Sequence, residues 1–257
     1  MFMEKAVELK TLEEISIMRR AGAIVADILV VLQGAIKPGM TTGQIDQIAR
    51  EELKKRGAKP AFLNYHGFPG VICVSINHEV VHGIPSDARK LKDGDIVGLD
   101  FGATVDLFYG DSAVTVGVGN ISEEASKLIR VTRESLDKGL AAVKAGARIG
   151  DIGAAVQRHA EAEGYGVVRE FVGHGIGRRL HEEPPIPNYG KAGTGPRLKA
   201  GMTLAIEPMV NLGRPEVATL EDGWTAVTKD RALSAHFEHT VAVTETGYDI
   251  LTLPSRI

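Results

Sequence analysis

The feature of this 257-residue sequence that most constrains its fold is an internal repeat. Residues 36–57 match residues 143–164, and residues 91–100 match residues 198–207, both at an offset of 107 positions. Similarity at one fixed spacing is the signature of a duplicated structural unit, and two separate matches at one offset are unlikely to arise by chance. The sequence therefore predicts two equivalent halves that pack against each other.

Each half is predicted to contain two helices followed by strands. Thr11 and Glu14 have the spacing of a capping box at the start of the first helix, and apolar residues then recur at helical spacing. Further helices are predicted at residues 42–56, 122–145 and 149–163, and strands at residues 71–76, 96–101 and 112–118. We expect an α/β fold of the α+β kind, one domain over residues 1–257 with half-repeats at about 11–120 and 121–257.

The composition is that of an ordinary globular protein, with 44% hydrophobic and 25% charged residues. A net charge of −3 gives no long-range attraction to nucleic acid or to an anionic membrane. Cys73 is the one cysteine, so no intrachain disulfide can form and a reducing compartment fits. The longest apolar stretch, residues 23–32, contains Asp27, and residues 1–5 lack the features of a signal peptide. We expect a cytoplasmic protein.

Four acidic residues and one histidine stand out because of their surroundings. Asp100 lies within an apolar strand, Glu207 occupies the equivalent position of the second half, and Glu238 begins another apolar strand. Asp111 follows Asp100 by eleven positions, so a hairpin between residues 103 and 109 would place the two carboxylates on neighbouring strands. The fifth residue, His174, has a glycine on each side, which lets the backbone approach closely.

Burying four carboxylates together costs several kcal/mol each unless the charge is compensated. They could share protons, pair with arginines or bind cations. No arginine lies within a few residues of the first three acids in the chain, and Arg231 lies seven positions before Glu238. Two divalent cations would balance four negative charges, and carboxylates with an imidazole suit a paired first-row metal site.

These residues occur in motifs that resemble methionine aminopeptidase type I. The resemblance covers the chain from about residue 11 and rests on an ordered set of segments, at residues 81–85, 99–102, 109–112, 173–177, 180–184, 205–208, 222–230 and 237–240. It implies the "pita-bread" fold, with a central antiparallel sheet, outer helices and two halves related by a pseudo-twofold axis. Only 31 positions separate Glu207 from Glu238, so the large type II insertion is absent and the chain resembles the short bacterial form.

The resemblance implies a role for each residue of the predicted site. Asp100 would bind one metal ion, His174 and Glu207 the other, and Asp111 and Glu238 would bridge the two. A water or hydroxide between the metals would attack the scissile carbonyl. Glu207 would also act as general base, His181 would hydrogen-bond the carbonyl or its oxyanion, and His82 would contact the amide nitrogen beyond the cleaved bond. The ligand types do not select among Co, Mn, Fe, Zn and Ni.

The resemblance also predicts a pocket for the methionine side chain. Its walls would be Tyr65, Phe68, Cys73 and Trp224, with His66 at the rim. Two positions depart from the family pattern, because Phe62 stands where a cysteine is usual and Leu180 where a phenylalanine is usual. These departures concern the shape of the pocket and not the metal chemistry. Backbone carbonyls near Asn77, Glu79 and Ser234 match a monovalent-cation site of the family.

The predicted activity is removal of the initiator methionine from nascent proteins whose second residue is small. A related Xaa-Pro aminopeptidase or prolidase, and a non-catalytic binding protein with the same fold, are the alternatives. The expected partners are the N-termini of nascent polypeptides, without nucleic-acid specificity or membrane binding. The family expectation is a monomer, and the sequence leaves open whether the chain docks at the ribosome.

Overall fold

The computed structural model describes residues 7–255 of the chain, so the N-terminal residues behind the signal-peptide prediction lie outside the described part. The helices are α1 (Leu12–Ala35), α2 (Thr42–Arg56), α3 (Glu123–Ala141) and α4 (Ile149–Ala162), with a short 3₁₀ turn at Tyr65–Gly67. The strands are β1 (Lys59–Pro60), β2 (Ile72–Ile76), β3 (Glu79–Val81), β4 (Ile96–Val105), β5 (Phe108–Gly117), β6 (Gly166–Val167), β7 (Gly173–Gly175), β8 (Glu182–Ile186), β9 (Thr203–Ile206), β10 (Met209–Asn211), β11 (Val217–Thr219), β12 (Ala226–Thr228), β13 (Ser234–His236), β14 (Glu238–Val243) and β15 (Tyr248–Ile250).

The predicted helices are all present, and the capping box that begins α1 is confirmed. The Thr11 side chain accepts from the Glu14 N–H, and the Glu14 carboxylate accepts from the Thr11 N–H at 2.8 Å. One boundary was wrong, since α3 ends at Ala141 and not at residue 145. The chain leaves the helix there through a tight turn, in which the Val143 N–H donates to the Leu140 carbonyl at 2.9 Å.

The largest sheet contains nine strands, and its main path runs β1-β4-β5-β14-β9-β7-β8, with β2 beside β4 and β15 beside β14. All of its strand pairs are antiparallel. Apolar residues of α1 and α2 pack with β2 and β4 in one core cluster, and those of α3 and α4 pack with β9 and β14 in another. The prediction of outer helices around a central antiparallel sheet is confirmed.

The two halves repeat one local contact at the offset found in the sequence. An isolated antiparallel bridge joins Thr41 to Lys90 in the first half, and its counterpart joins Arg148 to Arg197 in the second. Each bridge ties the residue just before the second helix of its half to the segment that leads toward the central sheet. The repeat therefore has a structural basis, because equivalent helices are attached to equivalent strands.

Among residues 7–255, no helix has both the length and the apolar character that a membrane span requires.

Candidate metal centre

Five strands that are neighbours in the central sheet each deliver one of the predicted metal ligands. In the order β4, β5, β14, β9, β7 across the sheet, the ligands are Asp100, Asp111, Glu238, Glu207 and His174. Four of them lie within their strands, and Glu207 directly follows the end of β9. Side chains that lie far apart in the chain are thus brought to one region by strand pairing alone.

Strand register explains why the first two acids face the same way. Asp111 on β5 pairs with Gly102 on β4, two residues after Asp100. Because side chains alternate between the faces of a sheet with a period of two, Asp100 and Asp111 lie on the same face. The predicted hairpin is confirmed, and it turns at residues 106–107.

The ligand atoms are close enough to share ions. Asp111, His174 and Glu238 each offer an atom within 4.8 Å of the others, and so do Glu207, His236 and Glu238. Glu238 belongs to both groups, which is the position that a bridging ligand needs. The His174 Nε2 atom lies 3.5 Å from Glu207 Oε1.

The four carboxylates destabilise one another's ionised forms. Burial, and then the charge of Asp111, raises the pKa of Asp100 well above its usual range. Burial also raises the pKa of Asp111 to about 7, against the opposing effect of a hydrogen bond from the Ser112 backbone. The pKa values of Glu207 and Glu238 are raised in the same way, by burial first and then by the neighbouring acids.

Divalent cations are the compensation that fits this cluster. Among the described residues, no lysine or arginine forms an ion pair with any of the four carboxylates, so the arginine alternative is not supported. One buried oxygen on each of Asp100, Asp111 and Glu238 has no hydrogen-bond partner within residues 7–255. Buried oxygens of this kind are normally paired, and hard cations bind to carboxylate oxygens.

His174 is oriented as a metal-binding histidine. Its Nδ1 atom lies 2.9 Å from the Gly175 carbonyl oxygen, which can only accept, so Nδ1 carries the proton and Nε2 has a free lone pair. Burial, together with the nearby His181, lowers the pKa of His174 to about 3. The imidazole is therefore neutral at physiological pH and available as a ligand.

A cavity of about 290 Å³ opens onto these ligands. All twelve residues predicted for the site line it, and so do the two that depart from the family pattern, giving Phe62, Tyr65, His66, Phe68, Cys73, His82, Asp100, Asp111, His174, Leu180, His181, Glu207, Trp224 and Glu238. Cys73 on β2 is the strand partner of Asp100 on β4. The apolar part of the cavity is thus continuous with the carboxylate cluster.

His82 lies in the loop that follows β3, with a left-handed backbone conformation of φ 60°. Its ring packs edge-on against Phe171 at 5.4 Å and against Trp224 at 6.2 Å between ring centroids. Burial, with a contribution from His181, lowers the pKa of His82 to about 4. His82 is thus a neutral hydrogen-bonding group held at the cavity by aromatic neighbours.

His181 stands beside the predicted metal ligand His174, with 4.2 Å between their ring centroids. Its Nδ1 atom lies 2.7 Å from the Tyr65 hydroxyl. Burial, and then His66, lowers the pKa of His181. The hydroxyl contact fixes one ring nitrogen of His181, so the other is left for a ligand in the cavity.

Two of the residues predicted for a monovalent-cation site are in contact through the backbone. The Ser234 N–H donates to the Asn77 carbonyl at 2.8 Å, and Asn77 has a left-handed conformation with φ 57°. The Glu79 carboxylate accepts from the Ile76 N–H at 2.8 Å and pairs with Arg89. The monovalent site stays a prediction.

Two further residues, His236 and Phe171, complete this region and were not predicted from the sequence. His236 lies within reach of Glu207, and Phe171 supports His82. His236 stands two positions before Glu238 in an alternating apolar run, and this position could have suggested a neighbour of the metal ligands. No local signal marks Phe171, because its contact with His82 joins distant parts of the chain.

Comparison with known proteins gives the family. Residues 16–245 match the model of metallopeptidase family M24. The chain is 56% identical to methionine aminopeptidase 1 of Bacillus subtilis over 243 residues, which cover 95% of this chain and 98% of the relative. The chain belongs to the methionine aminopeptidases. A second member, from Escherichia coli K12, is 48% identical over 96% of this chain and 94% of its own length.

Solved structures agree with this family. Methionine aminopeptidase from Thermotoga maritima superposes with a TM-score of 0.95 at 48% identity and covers 96% of this chain and 99% of its own. Prolidase from Pyrococcus furiosus gives a TM-score of 0.77 at 25% identity, and the match spans 96% of this chain but 66% of that longer protein. The pita-bread fold is therefore confirmed, and the similarity to methionine aminopeptidases is greater than that to the prolidase.

Proposed function

We propose that this enzyme removes the N-terminal methionine from nascent polypeptides whose second residue is small. The observation that carries the proposal is the convergence of one ligand from each of five neighbouring strands on a cavity with an apolar wall. Membership of the methionine aminopeptidases supports the hydrolase activity. The full set of ligands disfavours a non-catalytic binding protein.

The protein uses divalent metal, and the five residues of the cluster would hold it. We infer two ions, with Asp100 on one side, His174 and Glu207 on the other, and Asp111 and Glu238 between them. Divalent cations in such sites lower the pKa of coordinated water and polarise a carbonyl oxygen. Among Co, Mn, Fe, Zn and Ni, the donor set selects none.

The remaining steps belong to side chains around the cavity. Glu207 would accept a proton as general base and deliver it toward the leaving amine. His181 would donate a hydrogen bond to the scissile carbonyl oxygen, whose negative charge grows in the transition state. His82 would bind the backbone amide beyond the cleaved bond. Asp100 would bind the free α-amine of the substrate, which restricts cleavage to the first residue.

The apolar wall has the chemistry that a methionine side chain needs. Phe68 and Trp224 pack edge-on with 5.2 Å between ring centroids, and Cys73 and Tyr65 complete the wall beside them, with His66 at the rim. A polarisable thioether makes favourable contacts with aromatic rings. The main chain at Trp224 is held in place because the Asp222 carboxylate accepts from the Trp224 backbone N–H at 2.8 Å.

The proposed partners follow from this reaction. They are the N-termini of nascent proteins, and an encounter at the ribosome is compatible with them. We further propose a cytoplasmic monomer whose residues 1–257 form one catalytic domain, with a monovalent cation near Asn77, Glu79 and Ser234. Neither nucleic acid nor membrane takes part in the reaction.

The proposal is tested by measuring turnover of a short peptide that begins Met-Ala-Ser. Metal-free protein is titrated separately with Mn²⁺, Co²⁺, Fe²⁺, Zn²⁺ and Ni²⁺. Wild-type protein is expected to release free methionine with at least one of these metals. The Asp111→Ala variant is expected to release none with any of them. Xaa-Pro peptides run in parallel should not be cleaved. Faster cleavage of Xaa-Pro peptides than of the Met peptide would favour a prolidase-like activity and contradict the proposal.

A further inference from the structure

A second buried imidazole faces Glu207 and is not one of the five predicted ligands. His236, the last residue of β13, has its Nε2 atom 3.5 Å from Glu207 Oε2. His174 Nε2 lies 3.5 Å from the other oxygen, Oε1. The Glu207 carboxylate is therefore placed between two histidines, with one imidazole nitrogen at each of its oxygens.

His236 lies behind Glu207 with respect to the cavity. Glu207 and His174 both line the cavity, whereas His236 is not among its lining residues. The His236 side chain is buried, and its Nε2 atom has no hydrogen-bond partner within residues 7–255. A buried polar nitrogen without a partner is costly, and the Glu207 oxygen is the acceptor that it faces.

The backbone holds the His236 ring in this place. The Thr115 hydroxyl donates to the His236 carbonyl at 2.9 Å, and the His236 N–H donates back to the Thr115 oxygen at 2.9 Å. On its other side His236 pairs with Met209 of β10. Because neighbours on two sides fix the main chain, the imidazole is held beside Glu207 and does not reach the cavity.

We infer that His236 is a positioning residue whose Nε2–H donates to Glu207 Oε2, which leaves Oε1 directed toward His174 and the metal side. The inference rests on the proposed role of Glu207 as metal ligand and general base. A neutral imidazole donates from one ring nitrogen. Partners of this kind orient metal-binding carboxylates, and their loss typically lowers metal affinity by about 10- to 100-fold.

Three variants at this position separate a hydrogen bond from simple packing. His236→Gln keeps an N–H donor at a reach similar to that of Nε2, His236→Leu fills the space without a donor, and His236→Asn keeps a polar group that is too short. The matched control is His239→Gln. His239 is a half-buried histidine next to Glu238, but its Nδ1 atom contacts the Thr252 hydroxyl at 2.8 Å.

The readout is calorimetric titration of the metal-free proteins with Co²⁺, together with the visible absorption of the bound Co²⁺. His236→Leu and His236→Asn should raise the Kd by about 10- to 100-fold and alter the absorption bands. His236→Gln and the control should stay within about threefold of wild type. Thermal unfolding of the metal-free proteins shows which variants fold. If His236→Leu does not fold, the Kd values of His236→Gln and His236→Asn are compared to decide whether the donor matters.

Wild-type Kd values and spectra in His236→Leu or His236→Asn would overturn the inference. An equal loss of Co²⁺ affinity in His236→Gln would overturn the inference as well, because a variant that keeps the N–H donor should keep the affinity. Failure of the proposed function looks different, since wild-type protein would bind Co²⁺ but release no methionine from a Met-Ala-Ser peptide.

Discussion

Asp100 and Asp111 lie on the two strands of one hairpin, with Asp111 paired to the residue two positions after Asp100, so that both carboxylates leave the same face of the sheet. Removal of the Asp100 carboxylate from water and the nearby charge of Asp111 both raise the cost of ionising Asp100. Ionising both carboxylates is therefore unfavourable in the metal-free protein at neutral pH, and it becomes favourable once cations bind. The hairpin therefore links metal binding to stability.

The first prediction concerns the pH dependence of metal-free protein. The pKa of Asp111 is about 7 in the folded protein and about 3.8 for the free side chain, so the folded state retains a proton that the unfolded state releases between these values. Stability from this group is thus present below pH 4 and lost as pH rises through 7, by on the order of 4 kcal/mol.

Urea unfolding in EDTA at pH 4 and pH 8, for wild type and Asp111→Asn, measures this effect. The free energy of unfolding of wild type relative to the variant should fall with rising pH. The control is Asp106→Asn, which removes an exposed acid in the turn of the same hairpin. The difference in free energy of unfolding between wild type and this control should not change with pH. A wild-type advantage over Asp111→Asn that grows with pH would contradict the assignment.

A second prediction orders three alanine variants by their activity. Asp111→Ala and Glu238→Ala should each lower kcat by more than about 1000-fold, because a shared ligand supports both ions. His82→Ala should lower kcat by about 10- to 100-fold, since the proposed role of His82 is to position substrate and not to bind metal. The check is steady-state kinetics under saturating metal, and a reversed order would count against bridging by Asp111 and Glu238.

A third prediction concerns the hydroxyl that contacts His181. Tyr65→Phe removes the partner of His181 Nδ1 at 2.7 Å and keeps the aromatic ring in the pocket wall. One hydrogen bond of this kind is worth about 1 kcal/mol, so kcat should fall roughly fivefold with little change in KM. Phe68→Leu, which alters the wall alone, should instead raise KM. An unchanged kcat in Tyr65→Phe would show that the contact does not orient His181.

A fourth prediction concerns the second residue of the substrate. The walls near His82 are crowded by Phe171 and Trp224, which leaves little room for a long side chain. Peptides beginning Met-Ala-Ser should be cleaved at least about 100-fold faster, in kcat/KM, than peptides beginning Met-Lys. Equal rates on the two peptides would contradict the proposed specificity.

The helices, the two half-repeats and the residues around the cavity could be predicted from the sequence alone. The predicted capping box at the start of α1 is present because its residue types satisfy the first N–H groups of a helix. The residue range of α2 was also predicted, and the structure adds a capping box of Thr41 and Gln44 at its start. The offset of 107 between the halves identifies Asp100 and Glu207 as equivalent positions. The motifs shared with methionine aminopeptidases then predict the five metal ligands, and all five residues line one cavity.

The remaining features depend on long-range contacts. β5 begins at Phe108 rather than at residue 112, because the hairpin turns through Asp106 and Leu107, both with positive φ and without a glycine to signal the turn. The contact of His236 with Glu207 depends on how β13 pairs with β10, which no local pattern specifies. Pairing register between distant strands decides such neighbours.

The most direct test of the account is a crystal of the metal-free protein soaked in Mn²⁺, with anomalous scattering measured for the metal. Anomalous peaks are expected among the side chains of Asp100, Asp111, His174, Glu207 and Glu238, with Glu238 in contact with more than one ion. Strong diffraction with no anomalous peak among these five side chains, at a Mn²⁺ concentration that supports turnover, would contradict it.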